Sequence, residues 1–163
     1  VCTFEWNEEQ DGGRTIQEAN EYLISKHPEH EENIKAYYGR WEEMLGGPIE
    51  GTVEIFREMK ARDKHKFYAL TNWSAELFPI ALERYDFLGW FEGIVVSGTE
   101  KDRKPNPSFY QTLLSRYNVQ PSEALFIDDN LRNVKAAEQL GIASIHFTSP
   151  EELRERLERV GIL

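Results

Sequence analysis

The sequence predicts an α/β fold: a parallel sheet with helices on both faces, preceded by an all-helical segment. Three observations predict it. From Gly51 onward, short apolar runs alternate with segments of helical period, and such alternation builds a parallel sheet with crossover helices. From about Thr15 to Leu45 the pattern is helical only. The run Phe126-Ile127-Asp128-Asp129 is apolar and stops at two adjacent acids, with Asn130 behind them. A buried strand reads that way, and its C-terminal tip is where ligands sit in open α/β sheets.

The elements follow in order. Val1-Cys2-Thr3-Phe4 fits a short strand running into a polar loop. Thr15 with Glu18 three residues on makes a capping box, and Ile16, Ala19 and Leu23 share the face behind it. After His27-Pro28 a second helix carries Ile34, Tyr37, Tyr38, Trp41, Met44 and Leu45 at helical spacing, a stripe that reads first as core packing. Gly46-Gly47-Pro48 ends it. The one internal boundary lies near Gly46 to Gly51, dividing the chain into a helical region, 1–50, and an α/β region, 51–163. In the latter, Val53, Phe56 and Met59 mark a helix, and Lys66 to Leu70 a strand running into Thr71-Asn72. Ser74 is placed to cap a helix through Leu77, Ile80 and Ala81. A strand over Gly93 to Ser97 follows. Then comes a helix from Asn106-Pro107 with Tyr110, Leu113, Leu114 and Tyr117 inward. Ala124 to Asp128 is the third strand, Asn130 to Leu140 a helix closed by Gly141, and Ser144 to Thr148 the fourth strand. Ser149-Pro150-Glu151-Glu152 opens the last helix, whose Glu152–Arg156 and Glu155–Arg159 spacings suit an exposed face.

A chain of 163 residues suffices for one domain with a sizeable core. Its formal net charge of −10 disfavours nucleic acid and anionic membrane surfaces as partners. Cys2 is the only cysteine, which excludes an intramolecular disulfide and a Cys-based zinc site. No apolar run approaches a membrane span and no signal peptide is visible, so a reducing, cytoplasmic setting is the default expectation. Nothing specifies an oligomeric state.

Three features sit where a parallel sheet places its functional groups. Adjacent carboxylates such as Asp128 and Asp129 repel unless a cation or proton is present, which suggests magnesium; the alternative is an acidic helix cap. Thr71-Asn72 brings a hydroxyl and an amide to the ligand edge, or simply enters a helix. Lys104 precedes the rigid turn Pro105-Asn106-Pro107, or is a solvated surface lysine. Their order and spacing together are more specific than any one alone.

Leu70-Thr71-Asn72, Lys104-Pro105-Asn106-Pro107-Ser108-Phe109-Tyr110 and Phe126-Ile127-Asp128-Asp129-Asn130 resemble the second, third and fourth motifs of the haloacid dehalogenase-like (HAD) hydrolases. The match is to the phosphatase branch that includes sugar-1-phosphate phosphatases and the N-terminal domain of soluble epoxide hydrolase. The segment before Gly46 is similar to that branch's small cap. The resemblance implies a Rossmann-like core and hydrolysis of a small phosphorylated metabolite. Thr71 would hydrogen-bond the phosphoryl group with Asn72 beside it, and Lys104 would neutralise phosphate charge. Asp129 would bind Mg2+, with Asp128 a second ligand or a residue orienting the first. Asn130 and Asn133 would orient the acidic loop. Trp73, or else Arg14 or Trp41, would contact the leaving group. Magnesium's preference for one or two carboxylates plus waters and phosphate oxygens agrees, as does the need of phosphoryl transfer for surrounding positive charge.

The family's first motif, Asp-x-Asp, occurs nowhere in the chain. Its first Asp is the nucleophile, and its strand lies between those ending at Thr71 and Asp129. Without it the sheet would have a gap of about 9.5 Å, twice the interstrand spacing, and two edges lacking partners. The resemblance therefore implies that these residues are part of a longer protein whose nucleophile lies upstream of Val1. Two other functions stay open: a metal-independent 2-haloacid dehalogenase, against which the acidic pair argues, and a catalytically inactive binding protein on the same fold.

Overall fold

In the computed structural model, which describes residues 1–163, the strands pair two by two. β1 (Tyr68–Thr71) lies parallel to β2 (Gly93–Val96), with Tyr68 opposite Gly93 and Thr71 opposite Val96. β3 (Leu125–Asp128) lies parallel to β4 (Ala143–His146), with Asp128 opposite His146. No ladder joins β1 to β3, so each keeps one unpaired edge. Parallel strands are ordinarily buried on both faces. Here β1 is half-buried along its length and Ile127 of β3 is 38% exposed.

The chain enters through α1 (Phe4–Asp11), not a strand: Thr3 Oγ1 accepts from Trp6 N–H at 3.2 Å and caps the helix. Trp6 and Gln10, one turn apart, form its buried face. α2 (Ile16–Lys26) begins at the expected Thr15–Glu18 capping box. The long second helix expected through Leu45 is broken. α3 (Glu31–Gly39) stops at Gly39, a poor helix former, and α4 (Trp41–Met44) adds one more turn. Trp6, Ala19, Leu23, Ile34 and Tyr38 bury one another and Leu77, with Trp73 and Ile80 against them.

α5 (Glu50–Arg62) supplies Ile55 and Met59 to the core beneath Ile145. Ser74 caps only a turn, its Oγ accepting from Glu76 N–H, and α6 (Phe78–Arg84) starts later, with Pro79 in its first turn. A short α7 (Ser97–Glu100), which the sequence did not suggest, follows β2 directly. α8 (Pro107–Tyr117) buries Phe109 and Tyr110, while Tyr117 stacks on Tyr68 at 4.5 Å. α9 (Leu131–Gln139) is capped by the Asn130 side chain, which accepts from Arg132 N–H. α10 (Pro150–Arg159) is capped by Ser149 and adds Leu153 and Leu157 to the α5 core. Its Glu152–Arg156 pair forms at 3.0 Å; Glu155–Arg159 does not, and Arg154 instead reaches Glu58 on α5 at 2.9 Å. Burying each large aliphatic side chain contributes roughly 1.5–3 kcal/mol. Thus α5 and α10 cover one face, and α8 and α9 the other, where Tyr110, Ala137 and Ile142 pack against both Leu70 and Phe126. No helix is long and apolar enough to cross a membrane.

Gly98 fixes the approach of α7 to the loop after β1. Its N–H donates to Trp73 O at 3.1 Å, and a Cβ there would lie 2.4 Å from Ala75 N and 2.8 Å from Trp73 O. Both obstacles are backbone and cannot rotate away. Gly98→Ala should lower stability by about 2 kcal/mol, read as the urea midpoint. An unchanged midpoint would show that the contact is looser than described.

Candidate active site

Asn72, just past the end of β1, holds Lys104 by its backbone. Its Oδ1 accepts from Lys104 N–H and its Nδ2 donates to Lys104 O, both at 2.9 Å. The lysine side chain then crosses to the tip of β3, where Nζ donates to Asp128 Oδ2 at 2.7 Å. Both partners are buried, Lys104 8% and Asp128 9% exposed. The other carboxylate oxygen accepts from Asn130 N–H at 2.8 Å and Asn133 Nδ2 at 3.0 Å. Asn133 O in turn accepts from the Tyr110 hydroxyl at 2.8 Å. One continuous polar chain therefore joins the tips of the two half-sheets.

Asp129 contrasts with its neighbour. It is exposed and its carboxylate has no protein partner; only its carbonyl is held, by His146 Nε2 at 2.9 Å. β3 ends at Asp128 and Asp129 lies in the bend beyond it, so one acid is neutralised inside and the other is left open. No three His, Cys, Asp or Glu side chains cluster. One open carboxylate beside a neutralised one does not make a zinc cage, which needs three or four side-chain ligands. It does fit magnesium, which is content with one or two carboxylates and takes the rest of its shell from water and phosphate. The Thr71 hydroxyl, at the end of β1, also makes no hydrogen bond within the protein.

Beside Asn72 a pocket of about 190 Å³ opens between the N-terminal helices and the loop after β1. Trp41, Trp73 and Leu77 form its apolar side, and Asn7, Gln10, Asp11, Tyr38 and Ser74 its polar side. Gln10 Nε2 donates to Tyr38 Oη at 2.6 Å, and that hydroxyl donates to Asn7 Oδ1 at 2.8 Å. Burial pushes the Asp11 carboxyl up to about 6; the Arg103 guanidinium opposes this and Glu8 adds to it. A wider, open groove of about 510 Å³ between Pro105, Pro107 and α9 includes none of Thr71, Asn72 and Asp129.

Asn72, Lys104, Asp128 and Asn133 are thus joined directly, with Thr71 and Asp129 adjoining them in sequence at the two tips. Trp73 lies in the pocket wall, its ring edge-on to Trp41 at 5.8 Å and Phe78 at 5.5 Å. Arg14 does not line the pocket; it donates to Gln10 Oε1 and Trp6 O, both at 2.8 Å. Sequence reasoning missed Asn7, Gln10 and Asp11 because it read the N-terminus as strand and loop. Thr3 as a cap, with Trp6 and Gln10 four apart, was the signal that would have found them. It also assigned His146 no role.

A family model for haloacid dehalogenase-like hydrolases matches residues 3–141, and the chain belongs to that family. It is 34% identical over 96 residues to a sesquiterpene phosphatase of Aspergillus oryzae, covering 59% of this chain and 48% of that protein. It is 28% identical over 116 residues to flavin mononucleotide hydrolase 1 of Arabidopsis thaliana, covering 70% and 46%. The chain therefore spans about half the length of these relatives. Its fold is shared with a HAD family enzyme of Bacteroides thetaiotaomicron solved as a magnesium complex. The TM-score is 0.71 at 23% identity, over 94% of this chain and 78% of the other.

Two measurements test this geometry. Lys104→Met leaves the Asp128 carboxylate buried without its cation and should cost about 3 kcal/mol in urea unfolding. Adding Asp128→Leu should recover most of that loss, whereas strictly additive losses would disprove the coupling. Asp11 is an acid whose pKa folding raises, so its contribution to stability is complete below about 3.8 and lost as pH rises through about 6. Asp11→Asn should accordingly match the parent near pH 4 and be more stable by about 1 kcal/mol at pH 8, allowing for partial exposure.

Proposed function

We propose that the protein is a magnesium-dependent phosphatase of small phosphorylated metabolites, acting in the cytoplasm, with residues 1–50 as a cap over the site. The observation that carries this is the asymmetric acidic pair. Asp128 is neutralised by a lysine that Asn72 holds in place, and Asp129 is left open at the strand tip. The phosphatase relatives support the same reading.

The parts divide the work as follows. Lys104 spends one of its three N–H donors on Asp128, leaving two for phosphoryl oxygens or an incoming carboxylate. Thr71 offers its hydroxyl to the same group. Asp129 would hold the magnesium ion, with Asp128 the residue that positions Lys104 and the acidic loop. When bound, the ion supplies positive charge to the phosphoryl oxygens. The nucleophile would come from an Asp-x-Asp strand of the full-length gene product, seated against the unpaired edges of β1 and β3. Its first carboxylate would attack phosphorus, and the P–O bond to the leaving alcohol would break as the second Asp protonated that alcohol. Water would then release phosphate and regenerate the carboxylate. A metal-independent 2-haloacid dehalogenase would have no use for an unpaired Asp129, and no feature of the site favours it. The charge of −10 and the small pocket beside Asn72 suit a small-molecule substrate better than nucleic acid or a membrane.

The test is hydrolysis of p-nitrophenyl phosphate by the full-length gene product, with magnesium and with EDTA. Activity should vanish on chelation and return with magnesium. Asp129→Ala should lower kcat/KM at least 100-fold, about 2.7 kcal/mol. Halide release from 2-haloacids regardless of EDTA would replace this reading with the dehalogenase. Absence of both activities would leave a binding protein.

A further inference from the structure

The backbone on either side of Asp129 is held in place, although its carboxylate is not. Peptide units are planar, so φ and ψ of Asp129 alone set the direction of its Cα–Cβ bond relative to its neighbours. On the N-terminal side, Asp128 O accepts from Phe147 N–H at 2.9 Å. On the C-terminal side, the peptide joining Asp129 to Asn130 is held at both ends. Asn130 N–H donates to Asp128 Oδ1 at 2.8 Å, and Asp129 O is bonded by His146 Nε2 at 2.9 Å. With both peptides fixed, the Asp129 carboxylate keeps only its side-chain torsions. Of these three holds, the imidazole is the only one that a side chain of another element supplies.

His146 is well placed for this. β4 runs parallel to β3 with His146 opposite Asp128, so the two strands end together at the ligand edge of the sheet. Ile145, one residue earlier, is buried with Ile55 and Leu157 and anchors that strand end. The imidazole itself is half-buried, and its bond to Asp129 O is the only hydrogen bond it makes in the protein. A carbonyl oxygen only accepts, so Nε2 carries the proton. Asp129 is exposed, so no packing limits its carboxylate, and the backbone clamp is what restrains it. Magnesium demands near-ideal octahedral geometry from the few carboxylates that bind it. Groups that orient a metal ligand are commonly worth roughly 10–100-fold in metal affinity. Resting on the phosphatase reading, we infer that His146 is a positioning residue for the magnesium site: its Nε2–H fixes the Asp129 peptide and so aims the carboxylate before the ion arrives.

The experiment titrates magnesium into the full-length gene product by calorimetry, for the parent, His146→Leu and His146→Gln. Leucine removes the donor, whereas the glutamine amide restores an N–H at similar reach. The magnesium dissociation constant should rise at least about fivefold in His146→Leu and stay within about twofold of the parent in His146→Gln. With p-nitrophenyl phosphate, the magnesium concentration giving half-maximal activity should rise in parallel. At saturating magnesium, kcat should fall less than about threefold and KM should not move, because no group that touches the substrate has changed. Parent-like magnesium affinity in His146→Leu, shown folded by circular dichroism, would overturn the inference. Equal losses in the leucine and glutamine variants would overturn it too, since side-chain shape and not the N–H would then matter. Should His146→Leu not fold, His146→Asn, whose amide is one methylene shorter, takes its place, and parent-like affinity there overturns the inference. A parent that binds magnesium and hydrolyses p-nitrophenyl phosphate alongside any of these failures leaves the phosphatase reading intact. If the parent itself binds no magnesium, the magnesium-dependent reading fails and this inference with it.

Discussion

The Lys104–Asp128 ion pair is the constraint on which the rest of the site depends. Burying two charges costs several kcal/mol unless each is paired and hydrogen-bonded. Here both conditions are met: the carboxylate accepts from Lys104, Asn130 and Asn133, and the lysine backbone is gripped by Asn72. The pair therefore has one low-energy arrangement. In that arrangement the end of β1, the turn before α8 and the tip of β3 are mutually fixed. It also gives two chemically identical neighbours different jobs. Asp128 faces inward and is neutralised. Asp129, one residue on and just past the end of β3, is exposed and its carboxylate has no partner within the protein.

The N-terminal helices are tied to these same loops. Arg103, adjacent to Lys104, donates to Glu8 O and reaches Glu9, and Arg132, two residues beyond Asn130, pairs with Glu8 at 2.7 Å. Ion pairs this exposed contribute little individually. The larger share of the attachment is the apolar core in which Trp6, Ile34 and Tyr38 bury Leu77 of the α/β region. The effect on function is geometric. The C-terminal turn of α1, which carries Gln10 and Asp11, lines one pocket with Asn72, so the N-terminal helices and the loop after β1 belong to one packed unit.

How much of this was legible in the sequence depends on the range over which each feature is decided. Caps at Thr15, Asn130 and Ser149 are local, and each stands where the sequence placed it. The four strands are short apolar runs and were found to within a residue or two. Their pairing was not readable, because an apolar run does not say which neighbour it will adopt; only the family resemblance suggested a break between β1 and β3. α1 was missed because its face is just Trp6 and Gln10 within an otherwise polar stretch, too weak a period to compete with a strand reading. The difference between Asp128 and Asp129 was invisible for another reason: it is made by Lys104, 24 residues away. Asp11 escaped notice because its environment comes from three separate elements.

The unpaired edges of β1 and β3 bear on where the chemistry can occur. Both strands pack against the same side-chain cluster of α8, α9 and Ile142, and both are bridged at their tips, so the two half-sheets are held as neighbours without touching through a ladder. Backbone N–H and C=O groups at such edges need partners. Ile127, exposed in mid-strand, marks where apolar cover is lacking. A strand filling that position parallel to its neighbours would bring its C-terminal end between Asn72 and Asp128, against the two remaining donors of Lys104. Side chains there would meet a fixed cation, the Thr71 hydroxyl and the open Asp129 carboxylate with no further rearrangement. Pre-organisation of this kind is what phosphoryl transfer needs most, since its catalysis is chiefly positioning and electrostatic stabilisation. The pairing demand of the backbone and the charge demand of the proposed reaction thus converge on one location in the fold.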